Sequence, residues 1–129
     1  MHFSEAFVAL ASVQFLKTVE FYEALFRQSP QPLIPNQYAQ WTLKGGLKLG
    51  IFCPQASHRQ EFAADQPGAM SLCLEVEDIE AAILHLSQMG YPPPSSIQTA
   101  SHGREVYAYD PEGNRLILHQ GWANQAEPR

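Results

Sequence analysis

A chain of 129 residues with 45% apolar and 16% charged residues is globular, and is long enough to build a core without disulfides or metal, as one domain or two small fused modules. A formal charge of −5, with the Lys and Arg scattered, excludes the basic stripe of a nucleic-acid binder and is too mild to specify a cationic ligand. The two cysteines, Cys53 and Cys73, lie in apolar runs without a CxxC and read as buried free thiols of a cytoplasmic protein, and no apolar run approaches the ~20 residues needed to span a membrane.

The opening "MHFSEAFVALASVQF" contains a short apolar run but no basic n-region, and it carries Glu5, so it does not read as a signal peptide. It reads as a first strand from Phe7. Phe15, Val19, Tyr22 and Phe26 then recur at helical spacing. "YAQWTLKGGLKLGIFCP" reads as strand, glycine turn at Lys44–Gly46, and strand. Residues 5–53 are thus a first β-α-β-β(-β) module, and 54–68 a polar linker.

The pattern then starts again. "SLCLEVEDIEAAILHLSQMG" has a strand from Ser71, 64 residues after Phe7, and a helix with Ile79, Ala82, Ile83, Leu86 and Met89 on its apolar face. Asp78 is its expected N-cap and Gly90 its expected C-cap. "REVYAYDPEGNRLILHQ" is a hairpin about Asp110–Gly113, in which Pro111 sets the first turn angle and Gly113 can take positive φ. Residues 69–122 form the second module, and 123–129 a tail. A β-α-β-β-β module covers one sheet face with its helix and leaves the other bare.

These duplicated features resemble the vicinal oxygen chelate superfamily of glyoxalase I, bleomycin-resistance proteins and extradiol dioxygenases. The resemblance is carried by "FVALASVQFLKTVEFYEALF", "LKGGLKLGIF", "SLCLEVEDIEAAILHL" and "DPEGNRLIL". It implies an α+β fold in which two tandem βαβββ modules form a curved mixed sheet around a cleft, with the helices outside. Metal-using members hold four inward ligands on their strands. Carried over, those positions are Phe7, Gly50, Ser71 and Ile117. Three have no donor atom and the fourth is a serine, whereas a divalent ion needs imidazole or carboxylate. The expectation is therefore a protein with no metal and no cofactor, closest to the metal-free bleomycin-resistance-like branch.

Strand alternation turns Arg115, Ile117 and His119 to one face and Leu116 and Leu118 to the helix layer. The same parity puts Phe7, Ala9, Phe52, Ser71, Cys73, Glu75, Tyr107 and Tyr109 with Ile117. On the remaining strand Trp41, or its neighbours Gln40 and Thr42, complete the lining. The ligand-contacting set is then Phe7, Trp41, Phe52, Ser71, Cys73, Tyr107, Ile117 and His119, an apolar box with a few polar handles. The bland alternative is a collapsed face packed shut by its own aromatics. His58 and His102 fall in loops, His85 on a helix, and no pair of histidines has metal-ligand spacing along the chain.

The first reading is a homodimeric binding protein that holds an aromatic or apolar small molecule without chemistry, with neither nucleic acid nor membrane as partner. The second is a family enzyme, a lyase, isomerase or dioxygenase, using Glu75, His119 or a tyrosine for acid–base work. A third is a regulatory subunit whose cleft is vestigial.

Overall fold

The structure is a computed structural model that describes residues 1–63 and 65–122. The expected tail, 123–129, and one linker residue lie outside them. The chain divides into two compact units, Met1–Ala64 and Asp65–Arg129.

In the first unit a strand (β1, Val8–Ala11) leads to a helix (α1, Phe15–Phe26) and three further strands: β2 (Leu33–Ile34), β3 (Tyr38–Thr42) and β4 (Lys48–Phe52). They form a mixed sheet of order β1-β4-β3-β2, with β1 parallel to β4 and the rest antiparallel. The helix buries Phe15, Thr18, Val19, Phe21 and Tyr22. The sheet offers Ala39, Trp41, Leu49 and Ile51, each fully buried, which are alternate residues of two strands. Trp41 belongs to this core. Its ring packs against Tyr22 and Phe26, and its Nε1–H donates to the Gln28 carbonyl at 2.8 Å. The expected place of Trp41 on the ligand face is thereby corrected. Its bulk and indole N–H are both satisfied on the helix side, and Tyr38, Gln40 and Thr42 take the other face.

The segment 54–68 is more structured than a polar linker. A single 3₁₀ turn (Ala56–His58) runs into a four-residue helix (α2, Arg59–Phe62). Phe62 lays its ring edge-on to Phe52, at 5.1 Å between centroids.

The second unit repeats the plan: β5 (Leu72–Glu75), α3 (Ile79–Gln88), β6 (Gln98–Ala100), β7 (Gly103–Tyr109) and β8 (Arg115–Gly121), in sheet order β5-β8-β7-β6. The α+β class and the βαβββ repeat hold, with the strands of the described residues organised as two four-stranded mixed sheets. Asp78 caps α3 as expected, its Oδ1 accepting from the Ala81 N–H at 3.0 Å. Gly90 follows the helix at φ +94. Ile79 and Leu86 of the helix are buried, as are Val106, Ala108, Leu116 and Leu118, alternate residues of β7 and β8. Gln120 ties the two layers, since its Oε1 accepts from the Ile79 N–H at 2.9 Å. The Asp110–Gly113 turn is closed by one carboxylate: Asp110 Oδ1 accepts from the backbone of Glu112 and Asn114, and Oδ2 from the Asn114 side chain. Gly113 takes φ +87 as the turn requires. Among the described residues, no helix is long and apolar enough to cross a membrane.

Candidate functional site

In each unit the face of the sheet away from its helix is where the core has no claim. On the first unit that face carries Phe7, 48% exposed, and the half-buried Phe52 under Phe62. Between them lies a feature that no alternation rule foretells. Gly50 pairs across from Gln40, and Tyr38 leans over it with its hydroxyl donating to Gln40 Oε1 at 2.7 Å. A Cβ at position 50 would stand 2.5 Å from the Tyr38 hydroxyl oxygen. A glycine in mid-strand marks a close approach of something else, and here it is a phenol. Tyr38 was absent from the expected lining, although its alternation with Ala39 and Trp41 was the available signal.

On the second unit the register places Cys73 beside Ile117, Ile117 opposite Tyr107, and Tyr109 opposite Arg115. These residues therefore share the helix-free face, as alternation predicts. Cys73 is exposed on it, which corrects its reading as a buried thiol: Leu72 and Leu74 take the inward positions on either side. Ser71 is held by Arg115, whose Nη1 donates to the Ser71 Oγ at 3.1 Å and to the Gly68 carbonyl at 2.9 Å.

His119 is not isolated. Its Nδ1 lies 2.5 Å from Glu75 Oε1, and the other oxygen of that carboxylate accepts from the Gly121 N–H at 2.7 Å. On its far side, His119 Nε2 lies 2.7 Å from His102 Nδ1, with the two rings tilted by 32°. Glu105 faces His119 directly across the β7–β8 pair. One ligand atom each from His102, Glu105 and His119 fall within 4.8 Å of one another. Of this cluster, sequence reasoning identifies Glu75 and His119 and leaves out Glu105 and the approach of His102. Counting outward equally from the Asp110 turn pairs Glu105 with His119, so that contact was readable. The approach of His102 depends on the course of the preceding loop and was not.

The four positions at which the resemblance implies metal ligands do not fit a metal. Phe7 and Ile117 bring hydrocarbon, Gly50 brings none and is overlain by Tyr38, and the Ser71 hydroxyl is engaged by a guanidinium, a poor neighbour for a cation.

Two units of β-α-β-β-β plan with helix-free faces define a class: tandem βαβββ proteins of the α+β type. The Glyoxalase/Bleomycin resistance protein/Dioxygenase superfamily pattern matches residues 7–118, and the chain belongs to that superfamily. No curated protein sequence matches it. Among solved structures, a glyoxalase/bleomycin resistance protein from Catenulispora acidiphila shares 22% identity over 89% of this chain and 96% of its own, with a TM-score of 0.65. Lactoylglutathione lyase from Agrobacterium tumefaciens shares 21% over 92% and 94%, with a TM-score of 0.69. The fosfomycin resistance protein FosX from Listeria monocytogenes, solved with Mn(II) and sulfate, shares 16% over 94% and 92%, with a TM-score of 0.66. At these identities the likeness is one of fold.

Proposed function

We propose that this chain is a small-molecule binding protein of the superfamily that uses no metal at the four family positions. Its ligand is an aromatic or apolar compound, taken up on the helix-free faces by Phe7 and Phe52 in the first unit and by Ser71, Cys73, Tyr107, Ile117 and His119 in the second. The observation that carries this reading is the donor set itself: Phe7, Gly50, Ser71 and Ile117 replace ligating side chains while the fold around them is kept. The remaining side chains form an apolar surface with a few polar tips, the usual composition of a ligand site. We further propose that the protein is a cytoplasmic homodimer, because each module leaves a sheet face without a helix. Light scattering should report roughly twice the 14.4 kDa of one chain, and a 14.4 kDa particle at tens of micromolar would count against pairing.

The ligand reading is tested by a thermal-shift screen of planar aromatic compounds, followed by Tyr107→Ala. Binding should weaken by about tenfold or more while the melting temperature of the free protein moves little, as for a residue outside the core. If instead no compound raises the melting temperature and Tyr107→Ala unfolds the chain, the face is packed shut and the binding reading fails. A second reading, a lyase, isomerase or dioxygenase of the superfamily, is favoured by one observation, the Glu75–His119–His102 chain. A carboxylate-backed imidazole is a competent general base. Turnover abolished by His119→Ala with ligand affinity intact would decide for it.

A further inference from the structure

We propose that His102 Nδ1, His119 Nε2 and a Glu105 carboxylate oxygen bind one divalent transition-metal ion of the zinc, nickel or copper kind, with Glu75 as the outer carboxylate that orients His119. The site uses none of the four family positions and lies wholly within the second unit. It goes beyond the ligand-binding reading and does not depend on it.

The first argument is the donor set. Two imidazole nitrogens and one carboxylate, within 4.8 Å of one another, are the ligands that zinc and its neighbours accept with a coordination position to spare. Magnesium and calcium prefer all-oxygen sets and are not expected here. The second argument is the tautomer. Glu75 accepts at His119 Nδ1, which fixes the proton there and leaves the Nε2 lone pair turned toward His102. A carboxylate behind a histidine in this way is the usual outer partner of a metal-ligating imidazole, and it raises the basicity of the ligating nitrogen. Glu75 is itself fixed by the Gly121 N–H, so the orientation is anchored in the backbone. The third argument is access and support. His102 is exposed on the two-residue turn between β6 and β7, and Trp122 Nε1–H donates to the Ser101 carbonyl of that turn at 2.9 Å.

Without metal, the 2.7 Å contact has one imidazole N–H donating to the other nitrogen. On metal binding, the His102 proton must leave Nδ1 for Nε2. The two nitrogens must also part to about 3.3 Å, the spacing of two tetrahedral ligands at ~2.05 Å from zinc. The exposed turn can supply that movement of under about one ångström.

The test is titration calorimetry of the tag-free, EDTA-dialysed chain with ZnCl₂ and, separately, MgCl₂ at pH 7. About one equivalent of Zn²⁺ should bind and Mg²⁺ should not. His102→Ala and Glu105→Gln should each weaken Zn²⁺ binding at least about tenfold, and Glu75→Gln by roughly ten- to a hundredfold as for outer partners of other metal sites. His58→Ala and His85→Ala should leave it unchanged. Substitution with Co²⁺ should give the visible absorption of a low-coordinate site, lost in His102→Ala. His102 lies on an exposed turn outside the core, so this variant folds and decides the matter even if His119→Ala does not. Zn²⁺ binding that survives His102→Ala undiminished, that falls instead with His58→Ala or His85→Ala, or that is undetectable at about 100 µM would each overturn the proposal.

Discussion

The two modules share one plan and spend it differently. Both place a four-stranded sheet of the same order against one helix, and both bury alternate residues of the two central strands. Their helix-free faces have almost nothing in common. The first carries Phe7, Tyr38 over Gly50, and Phe52 under Phe62, and the second a polar cluster of Glu75, His102, Glu105 and His119. The buried face of a duplicated sheet is held by packing, in which any change of volume costs stability. The opposite face is free of that constraint, so chemistry can be placed there or removed without disturbing the fold. That is how a superfamily fold persists here over positions where no inherited ligand remains.

The comparison breaks most visibly if a buried residue can be lost as cheaply as a facing one. Trp41→Ala should cost about 3–5 kcal/mol, as for a fully buried aromatic, while Tyr107→Ala should cost about 1 kcal/mol or less; denaturant midpoints at constant slope read the difference. Next is Gly103→Ala. Gly103 has φ +149, and a Cβ there would meet the Gln120 carbonyl oxygen at 2.3 Å, so about 1–3 kcal/mol of backbone strain is expected before the clash is counted.

The two β-hairpin turns should then separate. Asp110→Ala strips the acceptor from two backbone N–H groups and one side-chain amide, and should cost about 1–3 kcal/mol. The matching turn of the first module has no such carboxylate and relies on Gly45 and Gly46 at φ +96 and +100. Lys44→Ala there should therefore be near neutral in the same assay. A smaller effect is expected at Gly50→Ala, where the displaced atom is the mobile end of Tyr38. Its cost should be no more than about 1 kcal/mol and should vanish when Tyr38→Ala is already present, which a double-mutant cycle will show.

The smallest effect concerns pH. The hydrogen bond from Arg104 holds the exposed Glu80 carboxyl below its ordinary range. Whatever it contributes is present above that range and is lost as pH falls through the lowered value. The melting difference between the native chain and Glu80→Gln should be slight at pH 7 and absent in strong acid.

Much of this was legible beforehand because it rests on short-range rules. The Asp110 turn fixed the parity of β8, so Leu116 and Leu118 were assigned to the helix and Ile117 to the other face, and the apolar spacing of α1 and α3 marked their buried sides. Legibility ended where two residues compete for one role. In "YAQWT" both Tyr38 and Trp41 are large and amphipathic, and only the packing of α1 decides which goes inward. The apolar neighbours of Cys73 suggest a buried thiol, whereas strand parity already sets it on the face of Ile117, since neighbours along a strand point opposite ways. The helix at Arg59–Phe62 is too short to announce itself by period, and its anchor is the single ring of Phe62. The meeting of His102 with His119 was out of reach, since it depends on a loop whose path no local preference dictates.

The anchoring of Glu75 by the Gly121 amide has a consequence for how this corner of the protein tolerates mutation. The proton position on His119 is governed through Glu75 by a main-chain group, and every amino acid except proline supplies one. A Cβ at 121 would stand 3.3 Å from Glu75 Oε2, so the carboxylate must give by a few tenths of an ångström, but the amide that anchors it stays, and small substitutions such as Gly121→Ala should leave the ring's tautomer alone. Proline, or a one-residue insertion or deletion that shifts the register of β8, would remove the amide and free the carboxylate. Drift in side chains is buffered at this point, and drift in chain length is not.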